Sequence, residues 1–184
     1  RDENGFLQYS FELVDKQFIC LDTKKDEPVS VGQYCEKRMS WLDNELSKTN
    51  TDVYIFMHHP AFEVGVRYME CIKLDEAEAF GDLISSYKNV RHIFFGHVHR
   101  AVFLTWQGIT CSACPGINHQ IPLIAKAVST KCSVEPPMYA VIEIGHGNMK
   151  TIPTNAVHFC TSIYCLGWKV KLKIALLEKS YVKK

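Results

Sequence analysis

No apolar run in this sequence approaches the roughly 18 residues that a membrane-spanning helix requires. Stretches such as 53–57 and 93–95 are long enough only for strands. Charge of one sign is also scarce in excess, since 21 Lys and Arg face 20 Asp and Glu. Such a balance gives no global field that would draw nucleic acid or an anionic membrane, so neither is an expected partner. Any attraction for phosphate has to be local. No basic start followed by an apolar segment and a small-residue cleavage site precedes the patterned part of the chain. An initiator methionine is missing too, and the opening Arg1-Asp2-Glu3-Asn4-Gly5 suggests a chain that starts inside a longer protein. Internal repeats and low-complexity segments are absent. Cys111-Ser112-Ala113-Cys114 has no second thiol pair at a suitable spacing, which argues against a four-thiolate zinc site. The 8 cysteines, irregularly spaced, are expected to be free thiols in apolar runs, and the expected compartment is the reducing cytoplasm.

What is present suits one core. A chain of 184 residues with 47% hydrophobic content is of single-domain size, and the domain is expected over 1–155. Residues 156–184 form an extension in which six lysines from Lys169 onward accompany one acid, Glu178. Polar and apolar residues alternate over 8–14, and a short apolar run covers 17–23, with Asp15 and Lys16 between them; a hairpin is predicted. Over 33–48 the spacing turns helical, with Cys35, Met39, Leu42 and Leu46 on one stripe. Residues 52–57 are apolar on both parities, as in a strand covered on both faces, and Pro60 ends it. A loop over 61–73, a helix over 75–87 and a strand over 90–95 follow. Shorter strands are expected at 102–106, 109–113, 138–144 and 149–152. The order implies a mixed α/β fold, with β-sheets flanked by helices.

Two of these strands end in histidines. His58-His59-Pro60 closes the first, and Gly96-His97-Val98-His99 closes the second. Ligands gather at the carboxyl ends of strands in α/β sheets, so the two clusters are expected to be neighbours. Imidazole is the commonest nitrogen ligand, and His58, His97 and His99 are the candidate ligands for Zn, Mn or Fe. His59 should point away from His58 in an extended backbone, which suits support behind the ligands better than ligation. His92, His146 and His158 read as structural histidines. Gly81-Asp82 lies inside a helical pattern, and Asp82 reads as surface charge.

The run Tyr54-Ile55-Phe56-Met57-His58-His59-Pro60 resembles the penultimate metal motif of the calcineurin-like metallophosphoesterases. Ile93-Phe94-Phe95-Gly96-His97-Val98-His99 resembles their final Gly-His-x-His motif. Leu21-Asp22-Thr23, Trp41-Leu42, Trp106-Gln107-Gly108-Ile109, Pro115-Gly116, His119-Gln120 and Glu135-Pro136-Pro137 extend the resemblance to the bacterial class III cyclic-nucleotide phosphodiesterases, over about residues 5–151.

That resemblance implies an αββα sandwich and two divalent metal ions (Mn, Fe or Zn). His58 and His97 would hold one ion and His99 the other, with His59 and His119 behind the ligands or against substrate. The family's reaction is hydrolysis of phosphodiesters, here of cyclic nucleotides such as 3',5'-cyclic AMP, by a hydroxide that bridges the ions. The implied partner is a small-molecule phosphodiester or cyclic nucleotide, and a homodimer is left open. Before the strand at 8–14 the family also carries Asp-x-His, Gly-Asp and Gly-Asn-His, and this chain has none there. The Asn-His catalytic position is therefore unassigned. Met69-Glu70 stands where the family often has Met-Asp. A broad-specificity phosphoesterase, or a truncated remnant that serves as a binding module, is the alternative reading.

Overall fold

The computed structural model describes residues 1–28, 30–122, 132–145 and 149–155. The lysine-rich extension, His146 and His158 lie outside the described residues. Strands β1 (Tyr9–Leu13) and β2 (Lys16–Cys20) form the predicted hairpin, paired antiparallel with Leu13 opposite Lys16. Its turn sits one residue earlier than the sequence suggested. Val14 and Asp15, at φ 58° and 94°, occupy the two central positions that a right-twisted two-residue hairpin needs in the left-handed region.

Helix α1 (Glu36–Ser47) follows, then β3 (Asp52–Met57). On α1 the buried row is Arg38, Leu42 and Leu46, four residues apart. The sequence stripe missed Arg38. Its Nη1 and Nη2 donate to the carbonyl oxygens of Gln33 and Lys24, and the guanidinium lies 4.2 Å from the centre of the Phe6 ring, so a charged residue ends an apolar stripe with two of its nitrogens on backbone carbonyls. The stretch expected to be a loop contains one helical turn, α2 (Arg67–Glu70). Glu70 accepts the backbone N–H groups of Val64 and Gly65 through one carboxylate oxygen, and Met69 is buried. Those two residues hold the loop's own shape.

Helix α3 (Ala77–Ser85) precedes β4 (Val90–Phe95), β5 (Val102–Trp106) and β6 (Ile109–Ala113). Gly81 of α3 is buried because the Trp106 ring packs on it, while Asp82 is exposed as expected. The six strands form one sheet in the order β1-β2-β3-β4-β6-β5. Strands β2, β3, β4 and β6 run parallel, and β1 and β5 close the edges antiparallel. A second sheet pairs β7 (Met138–Ile144) with β8 (Met149–Asn155).

Alternation sorts the central sheet into two apolar faces. Val53, Ile55 and Met57 of β3 join Ile93 and Phe95 of β4 against Leu42 and Leu46 of α1 and Phe80 and Ile84 of α3. The opposite face is aromatic. Phe18, Tyr54 and Phe94 are buried there beneath Ile142, Ile144 and Met149 of the small sheet. The fold is thus α/β, with helices on one side of a mixed six-stranded sheet and a two-stranded sheet on the other.

One irregularity sets the register between the two strands that end in histidine. Val53 pairs with Val90, but Tyr54 pairs with His92, so Arg91 is an extra residue in β4. Val90 therefore faces the helices although His92, two residues on, faces the aromatic side. Arg91 is exposed and its Nε donates to Asp52 Oδ1 at 2.7 Å. No helix among the described residues is long and apolar enough to cross a membrane.

The cysteines depart from expectation. Cys111 is buried in β6, but Cys114 lies just beyond the strand and is exposed, as are Cys71 and Cys132. A thiol in an apolar stretch of sequence is buried only where the stretch is also inside an element, and loops carry these three.

Candidate metal centre

Because β2, β3, β4 and β6 are parallel and adjacent, their carboxyl ends lie along one edge of the sheet. Thr23 follows β2, His58 and His59 follow β3, Gly96 to His99 follow β4, and the loop from Pro115 to Gln120 follows β6. The side chains of His58, His59 and His97 meet there. One ring nitrogen from each lies within 4.8 Å of the others. His58 Nε2 and His97 Nδ1 are 3.1 Å apart. Two nitrogens bound to one ion at about 2.0–2.1 Å and at right or tetrahedral angles lie about 2.9–3.4 Å apart, so this pair has the spacing of two ligands of a single ion.

His97 Nε2 is buried and has no hydrogen-bond partner. A buried polar atom without a partner costs free energy and calls for an ion, water or ligand. Burial pushes the His97 imidazole down to about 3, with the neighbouring His58, His59 and His99 adding to the effect. Burial likewise takes His58 down to about 4, helped by His59 and His99. Both rings are neutral at physiological pH, the form that ligates metals. This donor set fits the nitrogen part of a metal site. Among the described residues no carboxylate joins the group of three.

His59 is buried and tied to β2. Thr23 Oγ1 accepts the His59 backbone N–H at 3.2 Å and lies 2.9 Å from His59 Nδ1. Burial lowers the His59 imidazole too, opposed by the Thr23 contact and the Asp22 carboxylate. Its ring does not turn away from His58, as alternation would have it; the two ring centres are 4.8 Å apart, because β3 has ended and the backbone is no longer extended. Asp22 lies outside the group of three, and its oxygens accept the backbone N–H groups of Leu7 and Lys24.

The turn after β4 is bent hard. His97 and His99 have φ of 69° and 48°, the left-handed region that non-glycine residues rarely enter, and a Val98 N–H to Gly96 carbonyl bond closes a three-residue turn over His97. Such strain persists where the surroundings over-determine it, commonly at functional sites. The two imidazoles consequently do not sit side by side as an extended Gly-His-Val-His would place them. His97 meets His58 and His59. His99 is outside that group of three, with its Nδ1 2.9 Å from the His119 carbonyl oxygen and its ring 4.4 Å from the ring of His119. His119 Nδ1 in turn contacts Asn118 Oδ1 at 2.6 Å.

Glycines stand behind these rings, a signal that the motif reading used only in part. A Cβ on Gly96 would meet His58 Nδ1 at 3.0 Å, one on Gly32 would meet His59 Cβ at 2.5 Å, and one on Gly116 would meet His99 Nδ1 at 2.8 Å. Gly96 is needed for this close approach rather than for a positive φ. His92, by contrast, is buried away from the cluster with its Nε2 2.8 Å from Ser112 Oγ, as a structural histidine should be.

Known proteins share this fold and are similar in sequence. A dimetal phosphatase from Danio rerio shares the fold at a TM-score of 0.52 and 19% identity, over 61% of this chain and 50% of that one. In sequence the chain is 30% identical over 169 residues to a probable cyclic nucleotide phosphodiesterase of Rhodopseudomonas palustris, covering 89% of this chain and 59% of the relative. A probable glycerophosphodiester phosphodiesterase of Arcobacter nitrofigilis is 30% identical over 74% of this chain and 50% of its own length. The chain thus spans 59% and 50% of the lengths of these two relatives. No family model matches it.

Proposed function

We propose that this chain carries part of the active site of a metal-dependent phosphodiesterase, with cyclic nucleotides as the substrate class. The observation that carries the reading is the pair of half-buried, neutral imidazoles His58 and His97, with His58 Nε2 and His97 Nδ1 at ligand spacing. In this reading His58 and His97 hold one divalent ion and His99 the other. Bound ions of this kind supply Lewis-acid charge for the phosphoryl oxygens and lower the pKa of a water molecule. The chain's own residues fix the ligands. Thr23 anchors His59, which packs against both His58 and His97 and keeps water from their inner side. The His119 carbonyl orients His99, and the half-buried His119 ring beside it is a candidate contact for the substrate phosphate.

The kinship with cyclic-nucleotide phosphodiesterases favours that substrate class, and the second relative makes glycerophosphodiesters the competitor. Manganese, iron and zinc all suit the donor set. The test is to load the protein with manganese or zinc and assay cyclic AMP, a glycerophosphodiester and a generic aryl phosphodiester, using both this chain and a form extended at its amino end. Metal-dependent hydrolysis that His97→Ala removes is the expected result. Hydrolysis unaffected by chelators, or by His97→Ala, would overturn the reading.

A further inference from the structure

Gln120 is 1% exposed, yet it is a polar residue in a loop, and each of its side-chain hydrogen bonds goes to backbone. Its Oε1 accepts the Gly116 N–H at 2.8 Å, and its Nε2 donates to the Gly116 carbonyl at 2.7 Å and to the Pro136 carbonyl at 3.2 Å. Backbone bonds tie the same segments together. Ser133 N–H donates to the Gln120 carbonyl at 2.9 Å, and Met138 N–H donates to the Gly116 carbonyl at 3.1 Å. One buried amide therefore pins both ends of the five-residue loop from Gly116 to Gln120 and fastens it to the segment that enters β7.

The loop has little freedom inside that clamp. A single methyl group on Gly116 would come within 2.4 Å of the His119 carbonyl oxygen and 2.8 Å of His99 Nδ1. The His119 carbonyl is an acceptor only, so the 2.9 Å contact with His99 Nδ1 requires a proton on that nitrogen. A free imidazole side chain favours the other neutral tautomer, with the proton on Nε2. We infer that Gln120 is a positioning residue for His99: by clamping the loop at Gly116, it holds the His119 carbonyl against Nδ1 and so keeps His99 in the tautomer whose Nε2 lone pair is free. Where a histidine is to bind a metal, its second nitrogen's partner fixes the tautomer. The link to metal rests on the function proposed above; the tautomer does not.

Nitrogen-15 NMR of the metal-free chain, recorded above pH 8 where neutral imidazole dominates, tests the inference directly. The wild type should show a protonated Nδ1 and a pyridine-type Nε2 at His99. In Gln120→Leu, which removes all three side-chain bonds of the clamp, His99 should move to a tautomer mixture rich in Nε2–H. Gln120→Glu should fail to rescue, because a carboxylate has no proton for the two carbonyl oxygens. The His92 resonances report whether the sheet remains folded, and if Gln120→Leu does not fold, Gln120→Glu decides. A His99 that keeps its Nδ1 proton in a folded variant overturns the proposal. Zinc titration forms a separate arm, in which loss of the clamp should weaken binding by about 10- to 100-fold. A wild type that holds no zinc counts against the metal reading, while the tautomer shift still judges the role of Gln120.

Discussion

Acidification should destabilise this protein through His92, and the size of the effect follows from its surroundings. The ring is 2% exposed, lies tilted beside Phe94 at 4.2 Å between centres, and has Ser112 Oγ as its hydrogen-bond partner. Burial lowers its pKa from 6.5 to about 4. Between those two values the unfolded chain binds a proton that the folded chain refuses, so stability is complete above pH 6.5 and is lost as the pH falls toward 4. The full loss is about 3 kcal/mol at 1.36 kcal/mol per unit, and about 2 kcal/mol of it falls between pH 7 and pH 5. Urea unfolding of the metal-free protein at a series of pH values measures the slope. His92→Gln supplies the comparison, because the amide can still bond to Ser112 but does not titrate. The other histidines contribute equally to both proteins, so the difference between the two slopes isolates His92. The wild type should lose about 2 kcal/mol more than the variant between pH 7 and pH 5. Parallel slopes would show that His92 is protonated in the folded protein or is not buried, and would refute the reasoning.

Replacing His58 or His97 by alanine should lower divalent-metal content and abolish metal-dependent turnover, whereas His92→Gln should leave metal content unchanged; inductively coupled plasma analysis and an aryl phosphodiester assay read both. Gly32→Ala should cost about 1–3 kcal/mol, an overpacking penalty, since the new Cβ would meet His59 Cβ at 2.5 Å and Leu74 Cδ1 at 3.1 Å; a thermal melt checks it. The reverse sign is expected for Val14→Asn, where a residue that tolerates left-handed backbone replaces an exposed β-branched one at φ 58°, for a gain of about 1 kcal/mol. With imidazoles and no carboxylate at the described cluster, the 184-residue chain alone should bind metal weakly and turn over far more slowly than a form extended at its amino end, as calorimetry and the same assay would report.

Much of the fold was legible because its signals are local. A run apolar on both parities marked β3, a second apolar run marked β4, helical spacing marked α1 and α3, and every strand was placed, with the ends of β2 and β8 the least well matched. The histidine clusters were legible for the same reason, as residues that close apolar strands. What escaped was set by contacts across the chain. Arg38 lies buried because two distant carbonyls and the Phe6 ring wait for it, and no periodicity carries that information. His59 turns toward His58 because Thr23, 36 residues away, holds its ring. His99 parts from His97 because a strained turn replaces the extended backbone that alternation assumes. Gln120 read as a motif position without a role, and its clamp depends on Pro136 and Gly116 meeting in space.

The extra residue in β4 separates the chemistry from chain length at one point of the strand. Arg91 itself touches nothing in the histidine cluster; it is exposed and paired with Asp52 at the far end of the strand. Leave it out, and the pairs Val53–Val90 and Tyr54–His92 become successive, while Met57 stays level with Phe95 and the Gly96 N–H still reaches the His58 carbonyl at 3.1 Å. Losing that codon would close the bulge without moving His97 from His58. Losing a codon between His92 and Phe95 would instead slide the end of β4 by about 3.3 Å and exchange its faces. The strand therefore tolerates a change of length at Arg91 and not beyond it.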